Sequence, residues 1–242
     1  MNPVNQAQMK EFSSKFDLAH HTESDQFELY SIYSVINGGS GENIEPFDAH
    51  LSGTEFGLDG VAIIVQGNIV TDADEATAAL SDIKNPNIDF YFFQSKTSSS
   101  FDYGEMSKFF DSVKAFFEGG LEGESDQLDD LIEAKDVIYN IGIKKNNPGL
   151  FLYYCTTGSY ENQIKISRLI ENTTEYFIEK SIFDESRVQI NALGAGQLQR
   201  LYRAASTATS VTLNFRDSVV LPKHDSVEEA YIGGLYTYLT HN

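Results

Sequence analysis

Asp89-Phe-Tyr-Phe-Phe-Gln-Ser-Lys-Thr97 is the stretch on which the fold of this chain turns. Phe90 to Phe93 form an unbroken apolar run bounded by turn residues, the pattern of a strand buried on both faces, and polar residues begin abruptly at Gln94. Side chains alternate across a strand, so Gln94 and Lys96 are expected to leave one face while Ser95 leaves the other. An acceptor and a cation then share one small space at the end of a core strand.

Upstream, Gly57-Leu-Asp-Gly-Val-Ala-Ile-Ile-Val65 holds a second strand-like run, Val61 to Val65, which turns at Gln66-Gly67-Asn68. Asp59 stands at its opening. Pairing of the two runs would let Asp59 and Gln94 hold one divalent ion. Taken alone, Asp59-Gly60 reads as a hairpin turn, and its value comes from the downstream Gln94-Ser95-Lys96.

An Asp followed by a strand that ends in acid-or-Gln, any residue, Lys resembles the PD-(D/E)xK nuclease core in the Gln-x-Lys variant of Mrr-like restriction enzymes. The words Gly57-Leu-Asp-Gly-Val-Ala-Ile63, Phe92-Phe-Gln-Ser-Lys-Thr-Ser-Ser-Ser-Phe-Asp102 and Glu229-Ala-Tyr-Ile-Gly-Gly234 resemble the N-terminal region of the abortive-phage-infection (AIPR) family. The resemblance implies an α/β fold with a restriction-endonuclease-like mixed central sheet flanked by helices. It further implies Asp59, Gln94 and Lys96 as catalytic residues, and Glu28, on the first core helix, as an auxiliary acid near the metal. A solvated helix acid is the plain alternative for Glu28.

At 242 residues and 41% hydrophobic content the chain suffices for one large domain or a core with a small annex. No apolar run approaches membrane-spanning length, and Met1 to Lys15 lacks the basic start and apolar centre of a signal peptide, so a soluble, cytoplasmic protein with no membrane partner is expected. The single cysteine, Cys155, lies in a strand-like run and reads as packing. The charge balance opposes a nuclease. With 36 acidic against 17 basic residues the net charge is −19, whereas nucleic-acid binders usually present a basic face. Either the few cations cluster at the site, or the chain is an N-terminal piece whose basic partner region lies elsewhere, as the greater length of the family implies.

In chain order, a short amphipathic helix is expected before Thr22, then a helix from Ser24 or Asp25 stopped by Gly38-Gly39. A further helix begins at Asp72. Met106, Phe109, Phe110, Val113, Phe116 and Phe117 recur at helical spacing and read as core, leaving Lys108 off that stripe where it can meet a phosphate. The acids from Glu122 to Asp130 read as a solvated helix start away from any cleft. Strands are expected at 149–156, 188–192 and 211–215, with helices at 163–183 and 196–205. Arg200 and Arg203, three residues apart, form a further cationic pair. His20, His21 and His50 show no metal-ligand spacing and are expected at the surface or in packing.

These readings divide the chain into a nuclease domain with an N-terminal helical extension, residues 1–185, and an α/β annex, residues 186–242. The expected activity is phosphodiester cleavage with Mg²⁺ or Mn²⁺ held by Asp59, the Gln94 side-chain oxygen and the Ser95 backbone carbonyl, with Lys96 on the water or the scissile phosphate. The expected partner is nucleic acid, DNA ahead of RNA, contacted by Lys108, Arg200 and Arg203, with a homo-oligomer also open. Replacing a carboxylate by Gln94 removes one negative charge, so the alternative is a catalytically silent nuclease-fold module for sensing or oligomerisation.

Overall fold

The computed structural model describes residues 3–40, 42–52, 56–81, 83–142 and 146–207. The expected strand at 211–215 and the word Glu229–Gly234 lie outside the described residues. Five strands, β1 (Gly60–Val65), β2 (Asn68–Val70), β3 (Ile88–Lys96), β4 (Gly149–Thr156) and β5 (Val188–Leu193), form one sheet in the order β2-β1-β3-β4-β5. β1 pairs antiparallel with β2 and β3, while β3, β4 and β5 run parallel, so the sheet is mixed. Helices cover both faces: α1 (Pro3–Lys15), α2 (Glu23–Val35), α3 (Ala73–Leu80), α4 (Tyr103–Glu118), α5 (Asp126–Val137), α6 (Ile164–Glu179) and α7 (Ala195–Thr207).

β3 is the central strand because its sequence can be buried on both sides. Phe90 and Phe92 enter the core under α3 to α6, and Tyr91 and Phe93 enter the second core under α1, α2 and α7. Each aromatic side chain fully removed from water contributes about 2–3 kcal/mol, so four in a row fix the register of the strand that carries Gln94 to Lys96. Antiparallel pairing places Gly60 opposite Phe93, and the Asp59 N–H donates to the Phe93 carbonyl at 2.9 Å. The β1–β2 turn has Gln66 and Gly67 at φ 53° and 80°, the two left-handed residues of a type I′ hairpin.

Helix starts are set by side-chain caps. Thr22, rather than Ser24 or Asp25, caps α2: its hydroxyl accepts from the Asp25 N–H, and the Asp25 carboxylate accepts from the Thr22 N–H. Asp102 caps α4 by accepting from the Glu105 N–H at 2.9 Å. Met106, Phe109, Phe110, Val113 and Phe116 form the buried stripe of that helix. Val188 to Thr207, assigned to the annex on sequence, contributes the edge strand β5 and helix α7 to the same compact unit as the rest of the sheet. Among the described residues no helix is long and apolar enough to cross a membrane.

Candidate metal and phosphate site

Three chain segments meet where β3 ends. The loop before β1 supplies Asp59, the end of β3 supplies Gln94, Ser95 and Lys96, and the first half of α2 supplies Glu28. Asp59 Oδ2 accepts two hydrogen bonds, from Gln94 Nε2 at 2.8 Å and from the Ser95 N–H at 2.6 Å. The sequence-predicted pair therefore converges, but the amide presents its nitrogen to the carboxylate. Gln94 Oε1, expected as a metal ligand, is buried without a hydrogen-bond partner among the described residues. It faces the backbone of Gly57, where a Cβ would stand 2.9 Å from it. Ser95, expected to offer its carbonyl, engages the site through its N–H.

Burial pushes the Asp59 carboxyl up to about 6, with the charge of Glu28 as the second cause; the Ser95 N–H, Lys96 and Gln94 act in the opposite direction. Glu28 is thus an electrostatic neighbour of Asp59 rather than a merely solvated helix acid. Lys96 is 36% exposed at the rim and forms an ion pair with Glu105 of α4 at 3.5 Å.

His50, expected at the surface or in packing without a metal-ligand spacing, is buried as packing implies but also joins a group that could hold a metal ion. Its Nε2 lies 2.9 Å from Glu28 Oε2. Sequence spacing could not reveal this, because the partners lie on different elements and meet only through the pairing of His50 with Gly60 beside Asp59. One ligand atom from each of Asp25, Glu28 and His50 lies within 4.8 Å of the others, a group that could hold a metal ion. The acidic helix start is also closer than expected, since Gln127 in the first turn of α5 donates to the His50 carbonyl at 3.0 Å. Charge runs are usually solvated, and its acids do remain mostly exposed, but the amide between them anchors the helix here.

The three predicted cationic contacts do not form one surface. Lys108 lies on α4, whose core is that of α3 to α6, whereas Arg200 and Arg203 lie on α7, which packs on α2 over the other face of the sheet. Cys155 is fully buried and its thiol is pushed up to about 12 by desolvation, which agrees with a packing role. No protein-family model, curated protein or solved structure matches the chain.

Proposed function

We propose that this chain is a metal-dependent nuclease domain of the abortive-infection type, cleaving phosphodiesters at Asp59, Gln94 and Lys96. The observation that carries the reading is the convergence of Asp59 with Gln94 and Ser95 at the end of β3, at 2.8 and 2.6 Å, with the charge of Glu28 near enough to help raise the Asp59 carboxyl. Buried like charges are costly, and such an arrangement is characteristic of a cation site. Asp59 and Glu28 would hold the cation beside the Gln94 amide, with His50 fixing the orientation of Glu28 through their 2.9 Å contact.

A bound divalent cation would draw charge from a phosphate oxygen and acidify a water. The protein's own groups supply the rest. Lys96, at the rim, brings a mobile ammonium to the negative charge that grows on the phosphate, once Glu105 releases it. The Ser95 N–H and the Gln94 amide keep Asp59 pointed into the site. The buried strand beneath holds these groups to one geometry.

The two hydrogen bonds to Asp59 also favour a second reading, a catalytically silent module, because they satisfy the carboxylate within the protein. Titration of Mn²⁺ into the parent and Asp59→Ala, followed by incubation of both with plasmid DNA and single-stranded RNA, separates the two. Binding and cutting by the parent alone supports the nuclease; no binding by either protein overturns it in favour of the silent module.

A further inference from the structure

We infer that the strand this chain engages is single-stranded nucleic acid, docked with a base on Tyr103 and its phosphates on Lys165 and Arg168. The inference rests on the nuclease reading for the fate of the strand, though not for its binding. Burial provides the first observation. Tyr103 and Ile164, 50% and 72% exposed, are the first residues of α4 and α6. These helices follow β3 and β4, so both side chains stand at the carboxyl end of the two parallel central strands, the end where Lys96 closes β3. Ligands of open α/β sheets are bound at that end.

Charge provides the second. Tyr103, Lys165, Arg168, Leu169 and Asn172 line a cleft of about 470 Å³, and no carboxylate is among them. In a chain of net charge −19 it differs in this from the clefts that hold Asp111 and the pair Asp184 and Glu185. Acids flank the cleft on both sides without lining it: Asp102 caps α4 and Glu105 pairs with Lys96, while Glu161 and Glu171 stand exposed close in sequence to the α6 cations. Tyr103 also borders a second cleft along α4, which reaches Phe56, the neighbour of Gly57 at the Gln94 oxygen. A strand crossing Tyr103 would pass from the α6 cations into this second cleft, where Lys108 and Asp111 are its charged lining.

The chemistry selects an unpaired strand. An exposed phenol ring offers a flat face to a base that is free to leave its own stack, and base stacking on an aromatic ring needs few cations. Duplex recognition depends instead on neutralising many phosphates, for which two cations on an acidic protein are too few.

The test is fluorescence anisotropy with labelled dT and U oligonucleotides of about 12 nucleotides, a length within the range of single-strand binding sites, and a duplex of the same length. Each is titrated with the full chain carrying Asp59→Asn in EDTA, so that nothing is cut. Both single strands are expected to bind more tightly than the duplex, and a dU oligonucleotide compared with U identifies the preferred sugar. Tyr103→Ala should weaken binding by roughly five- to a hundredfold while Tyr103→Phe retains it. Arg168→Ala should flatten the slope of log affinity against log salt by about 0.7 for each phosphate it no longer neutralises. Equal or tighter duplex binding, or undiminished binding by a Tyr103→Ala variant with unchanged circular dichroism, overturns the dock. Cleavage assays on the chain with native Asp59 keep the two readings apart. If Tyr103→Ala cuts single strands as well as its parent does, the dock falls and the nuclease stands. Strands bound through Tyr103 but never cut with Mn²⁺ leave the dock standing and the nuclease reading overturned.

Discussion

Asp59 accepts a hydrogen bond from the Gln94 side-chain amide at 2.8 Å, although the two residues enter the sheet on different strands and neither has another carboxylate or amide beside it in sequence. The pair is held by the antiparallel register of β1 and β3, and the burial of the Asp59 carboxyl there sets its proton balance against the pull of that hydrogen bond.

The Asp59 carboxyl titrates at about 6 in the folded protein against 3.8 as its ordinary value. The folded state therefore holds the proton more tightly than the unfolded chain does, and stability falls as pH rises from about 4 to 6 before levelling. Asp59→Asn removes the titrating group and keeps a side-chain oxygen that can accept from the Gln94 amide and the Ser95 N–H. In EDTA the variant should be more stable than the parent by about 1–2 kcal/mol at pH 7.5, after discounting for partial exposure, with no gain at pH 4. Thermal unfolding at the two pH values measures it; an equal gain at both would show that charge is not the cause.

Lys96 separates catalysis from folding. Its ion pair with Glu105 at 3.5 Å is solvent-exposed, and such pairs contribute about 0–1 kcal/mol. Lys96→Ala is expected to abolish cleavage while the thermal midpoint moves by no more than a few degrees, whereas Lys96→Arg, which keeps the charge, should retain partial activity. Parallel activity and melting measurements decide, and full activity in Lys96→Ala would remove it from the site.

His50 should act through Glu28. Loss of a side chain that orients a metal-binding carboxylate typically weakens metal affinity about 10- to 100-fold. His50→Ala is expected to show that loss for Mn²⁺ by calorimetry, with Lys96 and its exposed ion pair untouched. An unchanged affinity would leave Glu28 without need of its partner.

The strand that defines the fold was legible because Phe90 to Phe93 must be buried on both faces, and a chain has few ways to do that. The meeting of Asp59 with Gln94 followed from the same reasoning, since pairing of the two apolar runs brings their polar ends together. The direction of the Gln94 amide depends on what stands between the pair, which the sequence does not show: both oxygens of an ionised carboxylate accept, so direct contact turns the amide nitrogen to Asp59. His50 was hidden for a different reason: its partner Glu28 is distant in sequence, and only the bridge between His50 and Gly60 makes them neighbours. Tyr103 carried no sequence signal either, as an aromatic at a helix start looks the same whether it faces core or solvent.

Gly57 offers a test of whether the orphaned Gln94 oxygen matters. It lies at φ 76°, in the left-handed region where a side chain is strained, and a Cβ there would stand 2.9 Å from Gln94 Oε1. Gly57→Ala should therefore carry two costs, a backbone term of about 1 kcal/mol and the displacement of an amide that is 1% exposed and has little room to move. Gly123 supplies the control, since its φ is 82° and a Cβ there meets nothing within 4 Å. Gly123→Ala is expected to cost the backbone term alone and leave Mn²⁺ binding and cleavage intact. Gly57→Ala should cost about 1–3 kcal/mol in total and reduce both. Calorimetry and cleavage assays on the two variants isolate the contribution of the amide. Equal behaviour of the pair would mean that Gln94 reorients freely, and that the position of its oxygen is not what prepares the site for a cation.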